Sequence, residues 1–368
     1  MAHSPLEDPG WSELLQRLPA EFDLEATARA LGAFQRARGV PDAATLLRLA
    51  LIYGATNLSL RGTAAWARAT GVASITDVAL LGRLRSASTL LSELVSAILK
   101  TTPGTGAVGR RVRLIDATSF AAAGNPLAAW RVHADFDLGQ CRFTGFELTD
   151  SHEAERLTRF DVEPGDILIG DRIYSQSAAA LHQIVTAGGD FLVRRGGSSC
   201  RLLTSEGKAF DQKRALARIR YDKTAAFCVL VPVAGGAPMP ARLVIHHMPQ
   251  EHAQEARRRA ESRCKVKRGA KDPDNAEFVM LMTTLPEQEF STDRLLALYR
   301  LRWQIEIAFK RLKSLVKLDA IQAKDIRLAR TAIYAKLIVA LLIEDFLTEL
   351  LESPPSEPEF DERAMARL

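Results

Sequence analysis

The sequence predicts an α/β protein: a mixed-sheet core, an all-helical N-terminal region in front of it, and a β-rich insertion within it. Three observations predict this. Residues 11 to about 100 repeat apolar side chains at steps of three and four. From Val112 onward the texture changes to alternating or apolar runs of strand length, the later ones separated by helical segments. Between 197 and about 275, short strand candidates are divided by Gly/Pro turns such as Ala234-Gly-Gly-Ala-Pro.

In the helical region the apolar steps are carried by Leu14, Leu15 and Leu18, then by Leu46, Leu47, Leu49 and Leu51. Asp23 and the pair Pro41-Asp42 are helix starts, because a carboxylate accepts the first free backbone N–H groups. Two helices over 59–70 and 75–86, split by Gly71, have helix-turn-helix proportions. DNA contact is the functional reading of this region, and a plain helical bundle the bland one. Thr101-Thr-Pro-Gly-Thr-Gly-Ala reads as a linker.

The core begins with strands at Val112–Asp116, Trp130–Phe136 and Cys141–Leu148, followed by a helix over 151–159. Ile167-Leu-Ile-Gly is a short buried strand, Ser177–Ala187 a helix and Phe191–Arg194 a further strand. Ala226–Val233 and Ala241–His247 supply the strands of the insertion. After a basic helix over 250–264, Glu277–Thr283 returns to strand, and long helices cover 292–317 and 325–351. The tail beginning Ser353-Pro-Pro-Ser is expected to be disordered.

Composition narrows the class only a little. The 368 residues carry a net charge of +5 and a sequence pI near 9.1, which suits a polyanionic partner without selecting one. Cys141, Cys200, Cys228 and Cys264 form no Cys-x-x-Cys pair, so neither a disulfide framework nor a zinc knuckle is indicated, and a reducing cytoplasm fits. The first residues hold no basic-then-apolar leader, and the most apolar stretch, Ala332–Ile343, contains Lys336 and ends at Glu344-Asp345. It is too short and too charged to span a bilayer, so no membrane partner is expected. Charge is concentrated instead. From Arg257 to Lys271 eight cations face Glu261 alone. Such a run is usually a solvated face, but this imbalance exceeds what solubility needs. It marks Arg257, Arg258, Arg259, Lys265, Lys267 and Arg268 as candidate phosphate contacts.

The residues that carry chemistry lie on the helix 292–317 and at two strands. Relative to Tyr299, Arg302, Glu306 and Lys313 fall at about −60°, −20° and −40° around an ideal helix, one narrow polar stripe. The bland reading is a solvent-facing stripe in which Arg302 and Glu306 pair across one turn. Asp116 and Asp171 each close an apolar strand, Leu114-Ile115-Asp116 and Ile167-Leu-Ile-Gly-Asp171, and reactive groups gather at such strand ends. For each the alternative is a turn or helix-cap acid. Asp166 stands at the opposite end of its strand, and Asp135, Asp137 and Asp150 are unplaced.

Tyr299-x2-Arg302-x3-Glu306-x6-Lys313 resembles the signature of the insertion-sequence-four family of transposases, within the Asp-Asp-Glu superfamily. Asp116-Ala-Thr resembles that family's first-aspartate box and Asp171-Arg172-Ile-Tyr174 its second, in the right order. The resemblance covers roughly residues 55–340. It implies a ribonuclease H-like catalytic core whose first part is residues 105–196 and whose second part, with a C-terminal helix, is 276–352, interrupted by an insertion domain at 197–275. A DNA-binding domain at 1–104 would precede it and a tail at 353–368 follow.

The resemblance also implies roles. Asp116, Asp171 and Glu306 would be catalytic and would hold two Mg²⁺ ions, with Mn²⁺ as a substitute. Tyr299, Arg302 and Lys313 would grip phosphates at the element end, with Arg172 and Trp303 beside them. The implied activity is metal-dependent cleavage and strand transfer at the terminal inverted repeats of an insertion sequence. The partners would be double-stranded DNA and a second copy of the chain, in the bacterial cytoplasm at the nucleoid. The alternatives are a catalytically inactive DNA-binding descendant and a plain Mg²⁺-dependent nuclease.

Overall fold

The structure, a computed structural model, describes residues 9–56, 58–100, 110–122, 125–196, 199–266 and 275–352. The linker at 101–107 and the tail at 353–368 lie outside them. The chain divides into two compact units, one of residues 1–102, 122–126 and 311–368, the other of 103–121 and 127–310.

The first unit opens with helices α1 (Pro9–Gln16), α2 (Leu24–Ala30), α3 (Ala43–Ala55), α4 (Leu60–Ala69) and α5 (Asp77–Lys100). Their starts are where the sequence puts them. The Asp23 carboxylate accepts from Ala26 N–H at 2.9 Å, Asp42 from Thr45 at 2.7 Å, and the Ser59 hydroxyl from Gly62 at 3.1 Å. Gly71 makes the turn after α4 at φ +70°, a conformation that costs glycine little. The second helix of this pair, expected to stop near 86, runs on to Lys100. The apolar steps do not stop there: Leu80, Leu84, Ala87, Leu91, Leu94 and Ile98 are all buried on one face.

The second unit is built on one sheet. Its strands are β1 (Val112–Ala122), β2 (Asn125–Asp137), β3 (Arg142–Asp150), β4 (Ile167–Gly170), β5 (Asp190–Arg194), β6 (Thr224–Val231), β7 (Met239–His247) and β8 (Phe278–Thr283). They lie in the order β3-β2-β1-β4-β5-β8-β7-β6. β4 is parallel to both β1 and β5, while β8, β7 and β6 continue antiparallel. Every residue of β4 is buried, which is why it reads as an unbroken apolar run. The segment 197–275, expected as an insertion domain, thus contributes β6 and β7 to the same sheet. Between β4 and β5 lies α6 (Ala178–Thr186), capped by Ser177, where the expected helix begins. The short helix α7 (Gln212–Leu216) precedes β6 and has no counterpart among the expected elements.

A buried ion-pair cluster ties the first half of the sheet together. Arg113 of β1 donates to both oxygens of Asp135 on β2, to Asp166 before β4 at 2.7 Å and to the Asp161 carbonyl at 2.6 Å. Arg111 donates to the two Asp166 oxygens at 2.8 and 2.9 Å. Asp135 and Asp166 are therefore structural acids. Asp137 and Asp150 serve turns, accepting from Gln140 and His152 N–H.

Two expectations need correction here. The helix expected over 151–159 is only a single 3-10 turn, Leu157–Arg159. The Glu153 and Ala154 carbonyls that such a helix would use accept instead from the guanidiniums of Arg131 and Arg159. The long helix expected over 292–317 is two helices, α9 (Thr292–Arg300) and α10 (Trp303–Val316), following α8 (Gln250–Val266) and β8. At the break the backbone tightens to i→i+3 bonds, from Leu301 to Leu298, Arg302 to Tyr299 and Ile305 to Arg302. Neither Gly nor Pro marks this turn. It carries Arg302 onto Asp116, a tertiary contact that helical periodicity does not encode.

The chain ends its described part with α11 (Ile326–Glu352), the C-terminal helix expected at the end of the segment 276–352. It packs in the first unit, against α3 and α5. A Cβ on Gly54 of α3 would stand 2.5 Å from the Cβ of Ala335, so only glycine allows this close crossing. Thr331 donates to the Leu84 carbonyl at 2.6 Å, and Arg85 pairs with Asp325 at 2.9 Å. Lys336, inside the apolar stretch, donates to the Val316 carbonyl at 2.7 Å and so finds a partner while buried. Among the described residues no helix is long and apolar enough to cross a membrane.

Candidate active site

The parallel register of β1 and β4 pairs Val112 with Ile167 and Leu114 with Ile169. The same offset, continued two residues, sets Asp116 level with Asp171. Asp116 lies in mid-strand rather than at a strand end, because β1 runs on to Ala122. What ends beside it is β4, whose last residue is Gly170.

Asp171 does perform a turn acid's work: its Oδ1 accepts from Ile173 N–H at 2.7 Å. It also acts on Asp116. Burial pushes the Asp116 carboxyl up to about 6. A hydrogen bond from Ala117 N–H and the charge of Arg302 oppose that rise, while the charges of Asp171 and Glu155 add to it.

The α9–α10 turn brings Arg302 and Glu306 of the expected motif to this place. Arg302 Nη1 lies 3.6 Å from Asp116 Oδ2, and Nη2 donates to Glu306 Oε1 in the first turn of α10. One guanidinium thus bridges two of the three expected metal carboxylates. Glu306 is the accessible member, its side chain 47% exposed against 18% for Asp116. Tyr299 is half-buried at the end of α9. Burial raises its phenol, the charges of Arg302 and Arg194 lower it, and that of Asp171 raises it further, so it keeps its proton as a donor. Trp303 stands 55% exposed beside Arg302, and Arg172 is exposed next to Asp171. Lys313 lies in the last turn of α10, past the residue where the chain enters the first unit.

Two charged groups at this site carry no sequence signal. Arg194 closes β5, and its charge reaches Tyr299. Glu155 sits in the loop where a helix was expected, and its charge reaches Asp116. His133 is buried and bonded to Thr149 Oγ1 at 2.9 Å. Burial, then Arg159 and Arg131, lower its pKa to about 3, so it is neutral.

The basic run is more balanced than its count suggests. α8 opens with Glu251 and Glu255, and Arg259 pairs with Glu255. Arg257 pairs with Glu261 at 3.2 Å and with Glu277 at 3.3 Å, while Arg258 is exposed. Lys265 is in α8; Lys267 and Arg268 lie outside the described residues.

The donor set suits a hard divalent cation. Two carboxylates, one on β1 and one just past the end of β4, the first of them buried and resisting ionisation, leave negative charge that a cation relieves. Among the described residues no three His, Cys, Asp or Glu side chains already converge as a metal-holding group. Arg302 provides the positive charge between Asp116 and Glu306.

A pH dependence follows. The folded metal-free protein holds the Asp116 proton up to about pH 6, whereas an unfolded chain releases it near 3.8. Its contribution to stability is therefore full below about pH 4 and is lost as pH rises through 6. Asp116→Asn is expected to remove that slope and to stabilise the metal-free protein at pH 7 by about 1–3 kcal/mol. Urea melts from pH 4 to 7 would measure it, and identical slopes for both proteins would place Asp116 at its ordinary value.

A sheet that sets one aspartate in a strand level with another just past the end of its parallel neighbour, with a helix delivering a glutamate, is the ribonuclease H-like arrangement of phosphoryl-transfer enzymes. Residues 108–342 match the family model described as "Transposase DDE domain", and the chain belongs to that family, whose members cleave and transfer DNA strands with divalent metal. The chain is 40% identical over 355 residues to the Escherichia coli protein "Transposase for insertion sequence element IS421", covering 94% of this chain and 96% of that one. It is likewise 40% identical over 354 residues to InsL of insertion sequence element IS186A from Escherichia coli strain K12, with the same coverage.

Proposed function

We propose that this transposase acts at the terminal inverted repeats of an insertion sequence of the insertion-sequence-four type, with Asp116, Asp171 and Glu306 as its metal-holding carboxylates. The observation that carries this reading is the Arg302 bridge between Asp116 and Glu306, beside an Asp171 whose charge bears on Asp116. In this reading the cations are two Mg²⁺ ions, which Mn²⁺ replaces. Bound there, they supply Lewis acidity to the scissile phosphate and a lowered pKa to the attacking water.

The chain's own residues bind and orient the DNA. Arg302 presents a fork that matches phosphate oxygens. Tyr299 donates a hydrogen bond to the same backbone, Lys313 adds a point charge, and the exposed face of Trp303 stacks on a base. Arg172, Arg257, Arg258, Arg259, Lys265, Lys267 and Arg268 contact flanking phosphates. The working unit is a homodimer, since two element ends must be joined, and it acts at the nucleoid in the cytoplasm.

The test is a cleavage assay on DNA from the flanks of the chain's own gene, with Mg²⁺ or Mn²⁺, comparing wild type with Glu306→Gln. Metal-dependent nicks at the repeat ends followed by strand-transfer products, both lost in the variant, are expected. Nicks without joined products would instead make the chain a plain nuclease. Cleavage that survives Glu306→Gln would remove Glu306 from the site.

A further inference from the structure

From Arg29 to Arg85 eight arginines, with neither lysine nor glutamate among them, stand against Asp42 and Asp77. Most of the eight work inside the first unit. Arg29 pairs with Glu25, Arg85 with Asp325, and Arg48 lies over the rings of Trp11 and Trp66. Arg68 donates to the Ile75 carbonyl at 2.7 Å and so fixes the turn between α4 and α5. Three others turn their charge outward. Arg61 of α4 is 88% exposed and reaches Asp77 only at 3.9 Å. Arg36 and Arg38 are exposed, and neither guanidinium has a hydrogen-bond or ion-pair partner among the described residues.

The loop that carries Arg36 and Arg38 is held in place. Arg83 of α5 lies over the Phe34 ring at 5.6 Å. It donates to the Arg36 carbonyl and, at 3.4 Å, to the Arg38 carbonyl. Gly39 adopts φ +72°, and a Cβ on it would stand 2.5 Å from the Ser74 carbonyl oxygen, so the loop lies directly against the α4–α5 turn. The backbone is tied down while both side chains are left to solvent.

α5 offers an open face beside this loop. Val78, Ala79, Gly82 and Ser86 are exposed and fall within about 100° of one another around the helix, opposite the buried Leu80, Leu84 and Leu91. Arg83, with the loop, and Asp77, with Arg61, lie on opposite flanks of that face. Val78 is 76% exposed although apolar. A Cβ on Gly82 would meet nothing within 4 Å, so packing inside the chain gives no reason for a residue that weakens helices. An outside surface can come close there.

We propose that the first two turns of α5 enter the major groove of the element-end duplex, with Val78 against thymine methyl groups. Arg36 and Arg38 hold phosphates of one strand, and Arg61 those of the other. A helix fits that groove, about 12 Å wide, and cations on both flanks meet both backbones. The proposal rests on the reading that this chain acts at terminal repeats.

Fluorescence anisotropy of a labelled duplex from the flanks of the chain's own gene, with the purified full chain in chelator, tests this apart from cleavage. Arg36→Ala with Arg38→Ala is expected to weaken binding by about tenfold or more and to reduce the salt slope by about two, whereas lysine at both positions keeps the slope. Gly82→Leu is expected to weaken binding by about tenfold while its melting temperature stays at or above that of wild type. Deoxyuridine in place of thymidine, which removes the methyl groups, is expected to weaken wild type by about threefold and to leave Val78→Ser unaffected. Normal affinity in Gly82→Leu and an unchanged slope in the double alanine variant overturn the proposal and leave the terminal-repeat reading standing. A deoxyuridine penalty that persists in Val78→Ser removes Val78 from the groove. Equal binding of wild type to a shuffled duplex overturns the terminal-repeat reading as well.

Discussion

Asp116→Asn and Asp171→Asn are each expected to reduce DNA nicking by on the order of a thousandfold or more while leaving DNA binding intact or slightly tighter. The size follows from what a hard cation contributes to phosphoryl transfer, several kcal/mol of charge stabilisation, at about 1.4 kcal/mol per tenfold in rate. Both substitutions are locally conservative. An asparagine oxygen at 171 still accepts from Ile173 N–H, and one at 116 still accepts from Ala117 N–H, bonds of 2.7 and 2.8 Å in the native chain. The loss would therefore report on charge rather than on fold. Removing a negative charge beside the DNA phosphates also favours binding. Single-turnover nicking and a gel-shift titration on the same preparation separate the two effects. Cleavage within about tenfold of wild type would dismiss that aspartate as a metal ligand.

Arg113→Met is expected to cost about 3–5 kcal/mol of stability, the usual consequence of stranding buried charge. Arg113 is 3% exposed and compensates Asp135 and Asp166, themselves 4% and 2% exposed. Burial opposes ionisation of Asp166, but hydrogen bonds from Arg111, the Glu163 N–H and Arg113 hold its carboxyl below the ordinary range. A depressed carboxylate contributes stability above its unfolded pKa and loses it as pH falls through the folded one, so the cluster weakens in acid. Among the described residues no second arginine pairs with Asp135, which would be left uncompensated. Urea unfolding at pH 7 measures the effect, and a loss below about 1 kcal/mol would mean that water reaches the cluster. Adding Asp135→Leu to Arg113→Met is expected to recover much of the loss, because Asp166 keeps Arg111 and the Glu163 N–H as partners.

The sequence made some of this legible because the determinants were local. Ile167-Leu-Ile-Gly could be read as a buried strand from four residues, and Asp23 and Asp42 as helix starts from single side chains. The family resemblance then pointed to Glu306 through the spacing of its motif, and to Asp116 and Asp171 through the residues that follow each. What stayed hidden depends on contacts between distant segments. Nothing near Arg302 announces the turn that ends α9, since its partner Asp116 belongs to β1. The loop at 151–159 looked helical because its competing donors, Arg131 and Arg159, act through side chains. Glu155 was invisible for the same reason: only the folded loop carries its charge to Asp116 and Asp171. Asp135 gave no sign that a buried arginine on the neighbouring strand would claim it.

The strand order has a consequence for synthesis. β5 gains its outer neighbour only when β8 arrives: Thr283 Oγ1 bonds the Phe191 carbonyl at 2.6 Å across 92 residues of sequence. At about 5–20 residues per second, a ribosome leaves that flank of β5 bare for several seconds. The β6–β7 hairpin, whose partners are close in sequence, can form meanwhile and wait. During that interval a second nascent chain could pair with the same bare edge, so a growing polysome carries the aggregation hazard of an open strand until residue 283 has emerged.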